Sequence, residues 1–340
     1  MTQTPAVATA LPSELWSRLR ELLGFPAASW QLVDQEQLKR HVHRLRFRAA
    51  GQERSFVVKR SRPDVAERNH LLATRWLPAI GLDDHGPALL ALATEREARR
   101  VWQVYEDLGR QTLESDAPVR DHVEETVRVV AALHTGFGSH RLLPECRLRG
   151  GDLGMRFYES SVRRGIAALR ALRPGSHDPE RVVAIRERLL DRLSRLGKEQ
   201  EERKLEQRVA GVPETLLHGD LWTVNVLLVR SGPGLRARLI DWDHVGVGPI
   251  SYDLSTFLLR FPRQHRRWIL DAYRRETDRL AGWQLPGDED LNRLFETAEY
   301  ARYSSVVRGG ARAVASSRAE WAVDRLESIE AWFDAYEPVL

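Results

Sequence analysis

The sequence predicts an α+β protein of two lobes, a small antiparallel-sheet lobe followed by a large, mainly helical one. Three observations predict it. Short runs between residues 30 and 106 alternate apolar and polar residues with a period of two, the mark of strands with one buried face. After Gly109 the apolar residues recur every three or four positions, as in Val123, Val127, Val130 and Leu133, which is a helical period. Within the helical part, Val226 to Val229 and Ala237 to Ile240 flank Ser231-Gly232-Pro233-Gly234 and read as a hairpin. The chain divides on this reading into a helical extension (1–29), an N-lobe (30–106) and a C-lobe (107–340).

Taken in order, Ser13 with Leu15, Trp16, Leu19, Leu22 and Leu23 predicts a capped amphipathic helix. Trp30 to Asp34 is a short strand. His41 to Phe47 is a second, with His43, Leu45 and Phe47 on one face and Val42, Arg44 and Arg46 on the other. Ala49 to Gln52 turns the chain into a third strand, Ser55 to Lys59. Asp64 is expected to cap a helix that runs to about Trp76. Ala88 to Leu92 and Val101 to Tyr105 complete the sheet. Residues 155–210 read as helical with a break at Pro174-Gly175, and the chain from Tyr252 onward as helical with a break at Pro286-Gly287.

Composition narrows the class. With 340 residues, 42% apolar and 29% charged, the chain can build a substantial core and is not of disordered type. No apolar run approaches the roughly 18 residues of a membrane span. Met1 to Leu11 lacks the basic start and apolar stretch of a secretory signal. Cys146 is the single cysteine, which rules out an internal disulfide and sets a cytoplasmic location as the expectation. The net charge of +4 is carried by 48 arginines and only four lysines, interleaved with acidic residues. That pattern suits ion-paired helix faces rather than a nucleic-acid groove, and nothing in it specifies an oligomer.

The chemistry concentrates in His218-Gly219-Asp220-Leu221-Trp222-Thr223-Val224-Asn225 and Ile240-Asp241-Trp242-Asp243. This set suits phosphoryl transfer from a metal-bound nucleotide to a hydroxyl. That reaction needs phosphates held, charge neutralised and an acceptor aligned, and little covalent help. Asp220 can orient the acceptor hydroxyl and take its proton. Asn225 comes immediately before the first hairpin strand and Asp241 ends the second, so the hairpin should make them neighbours with hard oxygens for Mg2+. The bland reading of each aspartate is a turn or cap residue; the ordered set argues against it. Lys59 ends an apolar strand, and a compact ammonium suits nucleotide phosphates. Glu67 on the next helix can pair with it. The stretch from Val104 to Gly109 can read an adenine edge through the Glu106 carbonyl and the Leu108 amide. His218 can be a general base, although a histidine here more often holds the loop by hydrogen bonds. His134 is read as a cap or packed residue, and Asp243 and Asp253 as braces.

These residues closely resemble the aminoglycoside phosphotransferase and choline kinase-like family, a branch of the protein-kinase-like fold. His218-Gly219-Asp220 with Asn225 looks like its catalytic loop, Ile240 to Asp243 like its metal motif, and Gly248 to Leu254 like the stretch that follows. The resemblance implies ATP and Mg2+ as cofactors, Asp220 as catalytic base, and Asn225 and Asp241 as magnesium ligands. It also implies Lys59 as phosphate ligand with Glu67 as its partner. The sequence departs from the pattern at Asp34 to His41, where a glycine-rich phosphate loop would lie and no glycine occurs. Gly219 stands where regulated protein kinases have an arginine, which favours a small-molecule acceptor.

The acceptor is a small hydroxylated molecule. Polycationic aminoglycosides would call for carboxylates, and Asp288, Glu289, Asp290, Glu296 and Glu299 can supply them. Trp222 can instead stack on a sugar or cap a quaternary amine, which leaves ketoamine and choline-type acceptors open. A catalytically inactive nucleotide-binding protein and a protein kinase are the rivals from other classes.

Overall fold

A computed structural model describes residues 11–24, 29–95, 99–173, 179–232, 234–317 and 320–340. The N-terminal residues 1–10, the Pro174-Gly175 break and Pro233 of the hairpin turn lie outside the described residues. In chain order the elements are α1 (Ser13–Leu23), β1 (Gln31–Lys39), β2 (Val42–Ala49), β3 (Gln52–Ser61), α2 (Pro63–Leu71), α3 (Leu77–Ala79), β4 (Leu89–Glu95) and β5 (Arg100–Glu106). There follow α4 (Arg120–Phe137), α5 (Leu143–Gly150), α6 (Met155–Ala171), α7 (Pro179–Lys198), α8 (Gln200–Ala210), β6 (Glu214–Leu217), β7 (Val226–Ser231), β8 (Gly234–Leu239) and β9 (Gly246–Pro249). Helices α9 (Ser251–Leu258), α10 (Arg263–Ala281), α11 (Asp288–Ser317) and α12 (Glu320–Ala335) complete the chain.

The chain forms two compact units, one of Met1–Leu113 with Val224–Asp243 and one of Glu114–Thr223 with His244–Leu340. The hairpin of β7 and β8, placed by the sequence reading in the C-lobe, thus clusters with the sheet-bearing unit, as does the N-terminal helix.

In the first unit an antiparallel sheet has the strand order β1-β2-β3-β5-β4. The period-two pattern has a direct cause. Leu45 and Phe47 of β2, Phe56 and Val58 of β3, and Trp102 and Val104 of β5 form one core with Leu15, Leu19 and Leu23 of α1. The alternate residues, Arg44, Val57, Lys59 and Tyr105, line a cavity instead. So α1 seals one face of the sheet, and each buried leucine contributes about 1.5–3 kcal/mol. Ser13 is the first helical residue rather than the cap, since Pro12 precedes the helix with extended backbone. Asp64 likewise yields its expected capping place to Arg62, because Pro63 opens α2 where its missing N–H costs nothing. After α2 the helix widens into a π turn at Leu72–Trp76, closed by Leu77 N–H on the Leu72 carbonyl. Pro78 follows directly; it has no N–H for the carbonyl four residues back, and the ladder shifts to absorb this.

The second unit is helical. Tyr158, Val162 and Leu169 of α6, Leu189 and Leu193 of α7, Val307 of α11 and Leu326 of α12 share its main core. A small sheet pairs β6 antiparallel with β9. The sequence reading missed β9, Gly246-Val247-Gly248-Pro249, because it is buried throughout and shows no alternation. A Cβ on Gly246 or Gly248 would come within 2.9 Å of Leu153 atoms, so the strand packs there without side chains. No described helix is long and apolar enough to cross a membrane.

Candidate active site

The first unit holds a cavity of about 280 Å³, lined among others by Lys39, Lys59, Asn69, Glu106, Leu108 and Asp241. β7 and β8 bring one end of the site together. The Ile240 amide donates to the Asn225 carbonyl (2.9 Å), so Asn225 stands beside the turn that carries Asp241. Asn225 is buried. Asp241 adopts a left-handed backbone with φ of 65°, which aspartate tolerates better than most residues. Its two oxygens are held by two ammonium groups, Oδ1 by Lys59 (2.5 Å) and Oδ2 by Lys39 (3.0 Å). Lys59 also reaches Asp243 (2.8 Å). Burial alone would favour the neutral acid at Asp241, but the charges and hydrogen bonds of Lys59 and Lys39 hold its carboxyl well below the usual range. The same pairs raise the Lys59 ammonium against its own desolvation.

Glu67 and Lys59 are not brought together as an ion pair. Glu67 is exposed on α2, and among the described residues the ion pairs of Lys59 are with Asp241 and Asp243. On a helix, positions two apart point in different directions, and it is Asn69, buried, that faces inward. Its Nδ2 donates to Asp243 Oδ1 (2.9 Å), while the Arg68 guanidinium donates to the Asp243 carbonyl. Asp243 is thus a brace that reaches α2.

The stretch expected to read an adenine edge is fastened by side chains. Glu106 accepts from the Ala88 amide (2.7 Å) and from Arg238 of β8. Asp107 accepts from Arg44 (2.8 and 3.1 Å), Ser55 (2.5 Å) and the Gly109 amide (3.0 Å), and Arg44 also donates to the Gly109 carbonyl (2.7 Å). Against its own burial, these bonds keep the Asp107 carboxyl below its ordinary value. The Glu106 side chain is therefore committed to holding β5, and Leu108 lines the cavity beside it. Strand alternation identified the face of Arg44 but gave no hint of its pairing.

In the second unit, the loop after β6 is built on Asp253. The buried carboxylate of α9 accepts the amides of His218 (2.7 Å) and Gly219 (2.9 Å) and lies 3.4 Å from His134 Nε2. Burial would raise its carboxyl, yet hydrogen bonding and charge from His134, with the Gly219 amide, hold it below the usual range. His134 is a packed residue, bonded through Nδ1 to the Tyr273 hydroxyl (2.8 Å). His218 is buried, with Nδ1 facing the Asp220 amide (3.3 Å). This contact lets the buried ring hold the loop, the role favoured for it from the sequence. Gly219 has φ of 81°, and a Cβ there would lie 1.9 Å from the His244 carbonyl oxygen. No other residue fits, which explains the missing arginine. Asp220 is half-buried at the end of this rigid run.

Beyond it, Trp222 is 39% exposed and carries the Arg260 guanidinium 4.1 Å above its ring. Four of the five carboxylates anticipated for a polycation pair with arginines, and Asp290 is exposed with no ion pair among the described residues. Asp288 pairs with Arg267 and Arg274, Glu289 with Arg293, Glu296 with Arg203, and buried Glu299 with Arg302 and the Ser255 hydroxyl.

A family model described as "Phosphotransferase enzyme family" matches residues 34–288. The chain belongs to this family. Membership makes it an enzyme, a small-molecule kinase. An ethanolamine kinase from Plasmodium vivax superposes with a TM-score of 0.60 at 12% identity, covering 93% of this chain and 86% of that one. Spectinomycin phosphotransferase in complex with ADP and spectinomycin gives 0.57 at 13% identity, covering 91% and 90%. Macrolide 2'-phosphotransferase from Brachybacterium faecium gives 0.52 at 17% identity, covering 95% and 99%. The expected fold class is thereby borne out for this phosphotransferase. Comparison with curated proteins finds no match.

Proposed function

We propose that this phosphotransferase moves the terminal phosphoryl group of ATP to a hydroxyl of a small, non-polycationic molecule such as a sugar or sugar-derived metabolite. The observation that carries the nucleotide half is Asp241, a carboxylate kept ionised by Lys59 at the wall of a cavity backed by residues 105–110. Magnesium, implied by the family, suits the donors on hand. Asp241 and Asn225 offer hard oxygen ligands from two side chains only. Magnesium prefers such sparse protein ligation, completed by phosphate and water. When bound it would neutralise charge on the transferring phosphates. Lys59, anchored by Asp243, aligns the phosphates. Asp220 orients the acceptor hydroxyl and takes its proton as the O–P bond forms. His218 and Asp253 hold the Asp220 loop in place.

The acceptor reading rests on charge. Four of the five carboxylates that would bind a polyamine are paired with arginines, Asp290 being the exception, and a face of Trp222 that could cap a quaternary amine already carries Arg260. ADP release with purified protein, screened against polyols, ketoamines, amino alcohols and aminoglycosides, tests this. Turnover with a neutral polyol that vanishes in Asp220→Asn is the expected result. Aminoglycosides as the best acceptors would overturn the charge argument. Tight ATP binding with no turnover on any hydroxyl would favour an inactive nucleotide-binding protein.

A further inference from the structure

We propose that Lys39, at the end of β1, is a phosphate-contacting residue that does the work a glycine-rich loop does by its backbone; this rests on the nucleotide-dependent reading above. The segment from Asp34 to His41 has no glycine, so close approach of its backbone to phosphates is restricted. The segment offers a side chain in its place. Pairing of β1 with β2 shifts register between Gln37 and Lys39, an irregularity of the kind that re-aims side chains. Lys39 comes out of it lining the cavity, with its ammonium on Asp241 Oδ2 at 3.0 Å.

The two ammonium groups on Asp241 are not equivalent. Lys59 is 15% exposed and has a second carboxylate, Asp243, which keeps it in place whatever binds Asp241. Lys39 is 62% exposed, and among the described residues its ion pair is with Asp241 alone. A divalent cation that takes the Asp241 oxygens releases Lys39 from its carboxylate. A flexible four-carbon stem then leaves an ammonium free at the mouth of the cavity where a polyphosphate would lie. Among only four lysines in the chain, two meet at this one carboxylate.

The test is equilibrium binding of ATP, ADP and adenosine to the full chain with magnesium present, for wild type, Lys39→Ala and Lys39→Arg. Lys39→Ala should weaken ATP and ADP by about tenfold and leave adenosine unchanged, and Lys39→Arg should stay within about threefold of wild type. An unchanged thermal midpoint checks that the exposed substitution leaves the fold intact. Equal ATP affinity in Lys39→Ala, or an equal loss for adenosine and ATP, overturns the assignment while leaving the kinase reading intact. A wild-type protein that binds adenosine but gains nothing from phosphates overturns both.

Discussion

Asp241 and Asp253 are both carboxylates held below their ordinary pKa, yet they are held by different chemistry. Asp253 is fully buried and grips two backbone amides and a histidine, partners that cannot leave without unfolding the loop. Asp241 faces a cavity and is held by two lysine ammoniums, one of them mostly exposed. A carboxylate satisfied by backbone is part of the scaffold, whereas one satisfied in part by a mostly exposed lysine is ready to exchange that partner. The low pKa alone does not separate the two cases; the identity of the partner does.

That contrast can be broken by substitution. The largest effect belongs to the chemistry: Asp220→Asn and Asp241→Asn should each lower turnover by about a thousandfold or more, Asp220→Asn with thermal stability within about 1 kcal/mol of wild type and Asp241→Asn still folded. Asparagine keeps the left-handed backbone of Asp241 accessible. If Asp241→Asn unfolded the protein instead, Asp241 would belong with Asp253 as scaffold.

Stability should respond the other way at Asp253. Asp253→Ala strands the His218 and Gly219 amides without an acceptor and should cost about 3 kcal/mol in denaturant unfolding, with activity lost through the loop. Gly219→Ala should be at least as damaging, because its Cβ has no room against His244.

Acid should expose the same grouping. Both aspartates have folded pKa values below their unfolded ones, so each stabilises the fold above the ordinary carboxylate range and loses that contribution as pH falls through the lowered value. Between neutral pH and about pH 5 stability should therefore stay flat as far as these groups decide it, and fall below about pH 4. Asp253→Asn should remove part of that acid-linked loss. An identical pH profile in the variant would count against the buried carboxylate as its source.

The smallest effect is expected at Glu67. Its replacement by alanine should change stability by less than about 0.5 kcal/mol and turnover hardly at all, while Asn69→Ala, which removes a bond to Asp243, should raise the KM for nucleotide. A Glu67→Ala defect larger than that of Asn69→Ala would restore Glu67 as the partner of Lys59.

The sequence alone determined the strand-and-helix order, because burial of one sheet face or one helix stripe imposes its period on the residues. It also singled out Asp220, Asn225 and Asp241 as candidates for the chemistry, since their spacing around a hairpin is local. β9 was illegible because uniform burial erases alternation; Asp253 was legible as a brace, but not which amides it holds, because they are 34 and 35 residues away. Only the tertiary structure decided that Lys59 pairs with Asp241 and Asp243, that Lys39 joins it, and that arginines pair with Asp288, Glu289, Glu296 and Glu299. Ion pairs between distant segments depend on where side chains end, and a one-dimensional pattern carries no record of that.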